Sequence, residues 1–127
     1  MNMQVLQLQI SEMVAVDEQG LGRLCARLGQ GAAQDVLCRA LEEMALRLSR
    51  CERFSSAGDW SALEKDVRAL GRIAERIAMP LLALVATDVR RCLAAQDQIA
   101  VAATLARLIR IGECSLVAIW DLREVPG

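Results

Sequence analysis

The chain has 127 residues, 54% of them hydrophobic and 24% charged, a length and balance that suit one folded domain and exclude a disordered tail. Its net charge of −1 and pI near 5.5 exert no overall pull toward nucleic acid or an anionic membrane. Aromatic residues make up only 2% (Phe54, Trp60 and Trp120), so the core has to be built from Leu, Ile, Val, Met and Ala, which favours helices over sheet.

The opening stretch, Val5 to Val14, alternates like a strand but also places Leu6, Ile10, Met13 and Val14 on one helical face. A lone strand would have no partner in the rest of the chain, so residues 1–15 are expected to form an arm or short helix. No basic residue precedes this stretch, so it does not read as a secretory signal. Asp17 can cap a helix running to about Leu28 with Leu21, Leu24, Cys25 and Leu28 inward, and Gly29 to Gly31 breaks it.

The next helix is predicted from about Ala32 to Ser55, where Val36, Leu37, Ala40, Leu41, Met44, Leu48, Cys51 and Phe54 recur at three- and four-residue steps. Ser55 to Gly58 ends it. Asp59 caps a third helix whose apolar stripe is Trp60, Leu63, Val67, Leu70, Ile73 or Ala74, and Ile77. Pro80 suits the first position of a fourth helix, to about Ala94, with Leu81, Leu84, Val85, Val89 and Leu93 inward. Asp97 then caps a long final helix to about Leu122. Long amphipathic helices joined by short turns predict an all-α fold: an up-and-down antiparallel four-helix bundle over residues 16–127, with additional short N-terminal helix. The longest apolar run, Ile77 to Thr87, is interrupted by Pro80 and falls far short of the ~20 residues a membrane span requires.

The five cysteines, Cys25, Cys38, Cys51, Cys92 and Cys114, form no CxxC pair, and the chain contains no histidine, so no mixed Cys/His zinc site is available. No metal or cofactor is expected. An odd count in so apolar a chain reads as reduced, mostly buried thiols in a cytoplasm. The basic residues are almost all Arg, with Lys65 the single lysine, which reads as the codon usage of a GC-rich bacterial genome. Trp60 and Trp120 are expected to pack in the core or at a bundle end. Met13, Met44 and Met79 fill apolar gaps, and Arg90, Arg91, Arg107, Arg110 and Arg123 are expected as surface charges.

The segment Val67-Arg68-Ala69-Leu70-Gly71-Arg72-Ile73-Ala74-Glu75-Arg76-Ile77-Ala78 resembles the active helix of histidine-containing phosphotransfer (HPt) domains. Those are four-helix bundles with an extra N-terminal helix. The likeness extends from residue 16 onward through apolar spacing and through Gly58-Asp59-Trp60 before the key helix. In this register Arg68 stands at the phosphorylated His, Leu70 at the buried leucine, Gly71 at the phosphate-holding Lys, Arg72 at the glycine that clears space for a partner, and Ala78 at a later glycine. The resemblance implies the fold; the chemical positions depart from it. A guanidinium stays protonated and has no lone pair with which to attack phosphorus, so the chain is expected to be no phosphotransferase and no enzyme.

Arg68, Arg72 and Arg76 lie at four-residue steps on one helix face, with Glu64 one turn before Arg68 and Lys65 beside it. The plain reading is a solvated face with a Glu64–Arg68 pair. The functional reading is a docking ridge of Glu64, Lys65, Arg68, Gly71, Arg72 and Arg76 for the acidic pocket of a response-regulator receiver domain, or for a histidine kinase. Two other functions stand beside it: a scaffold or homodimeric assembly protein that pairs through an apolar helix face, and a small-ligand binder, for which the sequence displays no convergent polar groups.

Overall fold

A computed structural model describes residues 18–124, and side chains within residues 19–117 apart from Leu21, Cys25 and Gln30. Among them the chain is all-helical. The helices are α1 (Glu18–Leu28), α2 (Gln30–Ala57), α3 (Trp60–Arg76), α4 (Pro80–Ala94) and α5 (Gln98–Glu124). The expectations for residues 1–15, the Asp17 cap and the packing of Trp120 lie outside the described residues. No described helix is long and apolar enough to cross a membrane.

Three helix ends follow one hydrogen-bonding scheme. At the end of α2 the amides of Gly58 and Asp59 donate to the carbonyls of Ser55 and Phe54. Ala78 and Met79 donate to Glu75 and Ala74 after α3, and Gln96 and Asp97 donate to Leu93 and Cys92 after α4. Each is a Schellman closure, which needs a left-handed residue to satisfy the last carbonyls. Gly58 meets that need at φ 72°, whereas Ala78 and Gln96 adopt φ 60° and 55° with a Cβ present. The starts are equally local. Asp59 accepts from the Ala62 amide at 3.2 Å and Asp97 from the Ala100 amide at 3.1 Å, while Pro80 opens α4 at a position where no helical amide is required.

Each helix packs on the next, and α2 also meets α5, closing a cycle through α2, α3, α4 and α5. The shared interior is aliphatic. Met44 and Cys51 come from α2, Leu63, Val67 and Leu70 from α3, Leu82, Val85 and Val89 from α4, and Leu108 from α5, all with no solvent exposure. Burying each Leu or Val side chain is worth ~1.5–3 kcal/mol. Cys51 is sealed among them: its burial, then the nearby Asp66 carboxylate, push its thiol up to about 12.

Several expectations are corrected. The break between α1 and α2 is Gly29 alone, at φ 82°. Gly31 lies inside α2, in the first turn, where amides have no helical partner in any case. Leu28, at the last position of α1, is 39% exposed rather than inward. Leu84 is 56% exposed because Leu82, Val85, Ala86 and Val89 take the inner face of α4. Trp60, the first residue of α3, is 38% exposed, so of its two expected places the core is ruled out and the apolar stripe begins at Leu63. Among the cysteines, Cys51 is buried, Cys38 and Cys92 are half-buried, and Cys114 is exposed.

Candidate functional site: the arginine face of α3 and α4

Helical spacing divides α3 into two charged regions. On one flank Asp66 interrupts the apolar stripe and is buried against α2. Its Oδ1 accepts from Arg47 Nη1 at 2.6 Å, and its Oδ2 stands 3.3 Å from Arg50 Nε without a hydrogen bond. Arg47 also holds Glu43 at 3.0 Å, and Arg50 lies over the Phe54 ring. Sequence reading missed this cluster. Its one signal was a carboxylate among the stripe positions Leu63, Val67 and Leu70.

On the other flank Glu64 is a hub. Its Oε1 accepts from Arg68 Nη2 at 2.8 Å, from Arg68 Nε at 3.2 Å, and from Arg90 Nε of α4 at 3.1 Å. Partial burial acts to raise the Glu64 carboxyl, but the hydrogen bonds from the two guanidinium groups outweigh it and hold the carboxyl below its ordinary value. The predicted Glu64–Arg68 pair is present. Arg90, expected as a plain surface charge, completes it from a different helix. Two positive groups share one carboxylate, so the constellation keeps a net charge of about +1.

Two clefts adjoin this constellation. The larger, about 680 Å³, opens toward the α4–α5 turn and is lined by Glu64, Arg68 and Arg90 together with Trp60, Leu93 and Val101. The smaller, about 320 Å³, follows the α3–α4 groove and is lined by Arg68, Gly71, Arg72, Glu75, Thr87 and Arg90. Gly71 faces Ala86 across this groove, where a methyl at its Cβ position would meet the Ala86 Cβ at 3.5 Å, an ordinary contact.

Of the six residues read as a ridge, Glu64, Arg68, Gly71 and Arg72 are thus gathered along these two clefts. Arg76 lines a separate cleft against α1, with Arg23 and Arg27. Lys65 is exposed. Arg72 is exposed and has no hydrogen-bond or ion-pair partner among the described residues. Among the described residues no group of three or more Cys, Asp or Glu side chains is placed to hold a metal ion. Chemically the face offers guanidinium donors beside apolar walls, a composition suited to binding anions.

Comparison with protein-family profiles, with curated proteins and with solved structures finds no match to this chain.

Proposed function

We propose that this chain is a non-catalytic binding module, a relative of HPt domains in which α2–α5 form an up-and-down antiparallel four-helix bundle. It docks the acidic face of a response-regulator receiver domain, or of a histidine kinase, in the cytoplasm without carrying phosphate. The observation that carries this reading is the arginine face itself: Arg68 and Arg72 stand exposed one turn apart on α3, and Arg90 joins Arg68 from α4. Arg72 is the freest of the three, because no carboxylate neutralises it among the described residues. Ala78 adds support. It stands at the family's later glycine in the register and takes φ 60°, a conformation that favours glycine. Guanidinium groups bind carboxylate or phosphoaspartate through paired, charge-assisted bonds, so an acidic partner pocket is complementary to this face.

The test is titration of the purified chain against the receiver domains of its host, each phosphorylated and unphosphorylated. At least one is expected to bind saturably, and the Arg68→Glu/Arg72→Glu variant to bind at least ~tenfold more weakly, a loss of ~1.4 kcal/mol. Binding to none of them, or unchanged binding by the charge-reversed variant, refutes the proposal.

A second reading, a scaffold that pairs as a homodimer, draws on α5. Ile99, Ala103, Ala106 and Val117 are exposed at the alternating three- and four-residue steps of a helix-pairing seam, with Arg110 and Glu113 between. Sedimentation of the chain and of an Ile99→Asp/Val117→Asp variant separates the readings. A dimer lost in the variant supports the scaffold, and a monomer in both removes it.

A further inference from the structure

We infer that the cleft between the first turn of α3 and the α4–α5 turn is a binding site for a small organic monoanion, a carboxylate carried on a flat apolar body, with its head on Arg68 and Arg90. The volume, about 680 Å³, is that of a small-molecule site, and such sites combine apolar walls with a few placed polar groups. Here the wall is Trp60, Leu93 and Val101, and the polar end is the Glu64 constellation.

The charge balance selects the ligand. Glu64 engages Nε and Nη2 of Arg68 but only Nε of Arg90. Arg68 Nη1 and both terminal nitrogens of Arg90 are therefore left with no hydrogen bond to the described residues. One net positive charge with unfilled donors matches one carboxylate, which guanidinium binds bidentately. The exposed indole of Trp60 offers a flat apolar surface for the body of such a ligand.

Gln96 adds a neutral polar group to the lining. It lines the cleft at φ 55°, in the left-handed closure of α4, where glycine would carry no Cβ strain. Its side-chain amide can donate to or accept from a bound polar group. This inference does not depend on receiver docking. Trp60, Leu93 and Gln96 lie off the arginine ridge, and Arg72 lines the neighbouring groove instead of this cleft.

The experiment is calorimetric titration of the full chain with 2-naphthoate and with its neutral isostere 2-naphthamide, followed in parallel by the Trp60 indole N–H resonance. The acid is expected to bind saturably and to shift that resonance, with the amide at least ~tenfold weaker. Arg90→Gln, with helicity confirmed by circular dichroism, is expected to reduce affinity for the acid ~tenfold, whereas Arg107→Gln, at an exposed position of α5 outside the cleft lining, leaves it unchanged. The inference is overturned by any of three results: no saturable binding of the acid up to about 5 mM, equal affinity for acid and amide, or binding that leaves the Trp60 resonance unmoved. The acid–amide comparison is made on the unaltered chain, so it decides the matter even if Arg90→Gln folds poorly.

Discussion

Arg47 of α2 and Asp66 of α3 form an ion pair 2.6 Å from Nη1 to Oδ1, across a boundary where one partner is buried and the other is not. The Asp66 side chain is 3% exposed, against 25% for Arg47 and 39% for Arg50. That asymmetry sets an order of costs. In Asp66→Asn the two guanidinium groups can swing to water, and an amide remains to accept one bond, so the loss is expected at ~1–3 kcal/mol. In the double variant Arg47→Met/Arg50→Met the carboxylate stays behind in an apolar site, which costs ~3–5 kcal/mol. Urea unfolding of both variants checks the order, and a double variant more stable than Asp66→Asn contradicts it.

What the sequence made legible here tracks how local each feature is. The caps at Asp59 and Asp97, the Pro80 start and the stripe Leu63–Val67–Leu70 depend on neighbours within a turn or two, and all are present. Leu84 differs from expectation because residues 81–86 are all apolar, so spacing alone could not choose which side α4 buries. The candidate site was half visible. Glu64 and Arg68 are one turn apart and could be paired by inspection, but Arg90 reaches Glu64 from 26 residues away, through packing that no local pattern encodes. The cleft beside them has the same tertiary origin, which is why the convergent polar groups absent from the sequence reading exist in the fold.

Two helical glycines are expected to respond oppositely to alanine. A methyl on Gly112 of α5 would fall 2.6 Å and 3.0 Å from the two Cδ atoms of Leu48, a side chain packed in the core at 4% exposure. Overpacking of this kind costs ~1–3 kcal/mol and exceeds the gain in helix propensity, so Gly112→Ala is expected to destabilise. A methyl on Gly71 meets Ala86 at 3.5 Å, an ordinary contact. Gly71→Ala should keep only the propensity gain, ~0.5–1 kcal/mol. Thermal unfolding of the pair checks the signs. A stabilising Gly112→Ala contradicts the tight α2–α5 contact at Leu48, and a destabilising Gly71→Ala contradicts the ordinary contact with Ala86.

The left-handed closures offer a matched comparison. Gly58 is at φ 72° with nothing within 4 Å of a built Cβ, so Gly58→Ala adds backbone strain without a clash, a loss of ~1–2 kcal/mol. Ala78 already bears that strain at φ 60°. Ala78→Gly is expected to stabilise by less, ~0.5–1 kcal/mol, because glycine also widens the unfolded ensemble. Denaturant midpoints at constant slope measure both effects, and a destabilising Ala78→Gly would place the value of Ala78 in its packing instead.

The Glu64 hub predicts a pH dependence of definite sign. Its carboxyl is held below the ordinary value by Arg68 and Arg90, against the opposing effect of partial burial. A depressed acid contributes stability that is fully present above the ordinary carboxylate range and is lost as pH falls through the folded value. The stability difference between the native chain and Glu64→Gln should therefore be largest near neutrality and shrink toward zero as the solution is acidified below about pH 4. A difference that grows on acidification would reverse the sign and remove Glu64 from its place as acceptor. The same titration bears on the site, because protonating Glu64 withdraws the one negative charge shared by Arg68 and Arg90. An anionic head bound on those two groups must then compete with no internal carboxylate, so 2-naphthalenesulfonate, a monoanion that stays ionised in acid where a carboxylate does not, should gain affinity over the pH interval in which the native chain loses the Glu64 contribution.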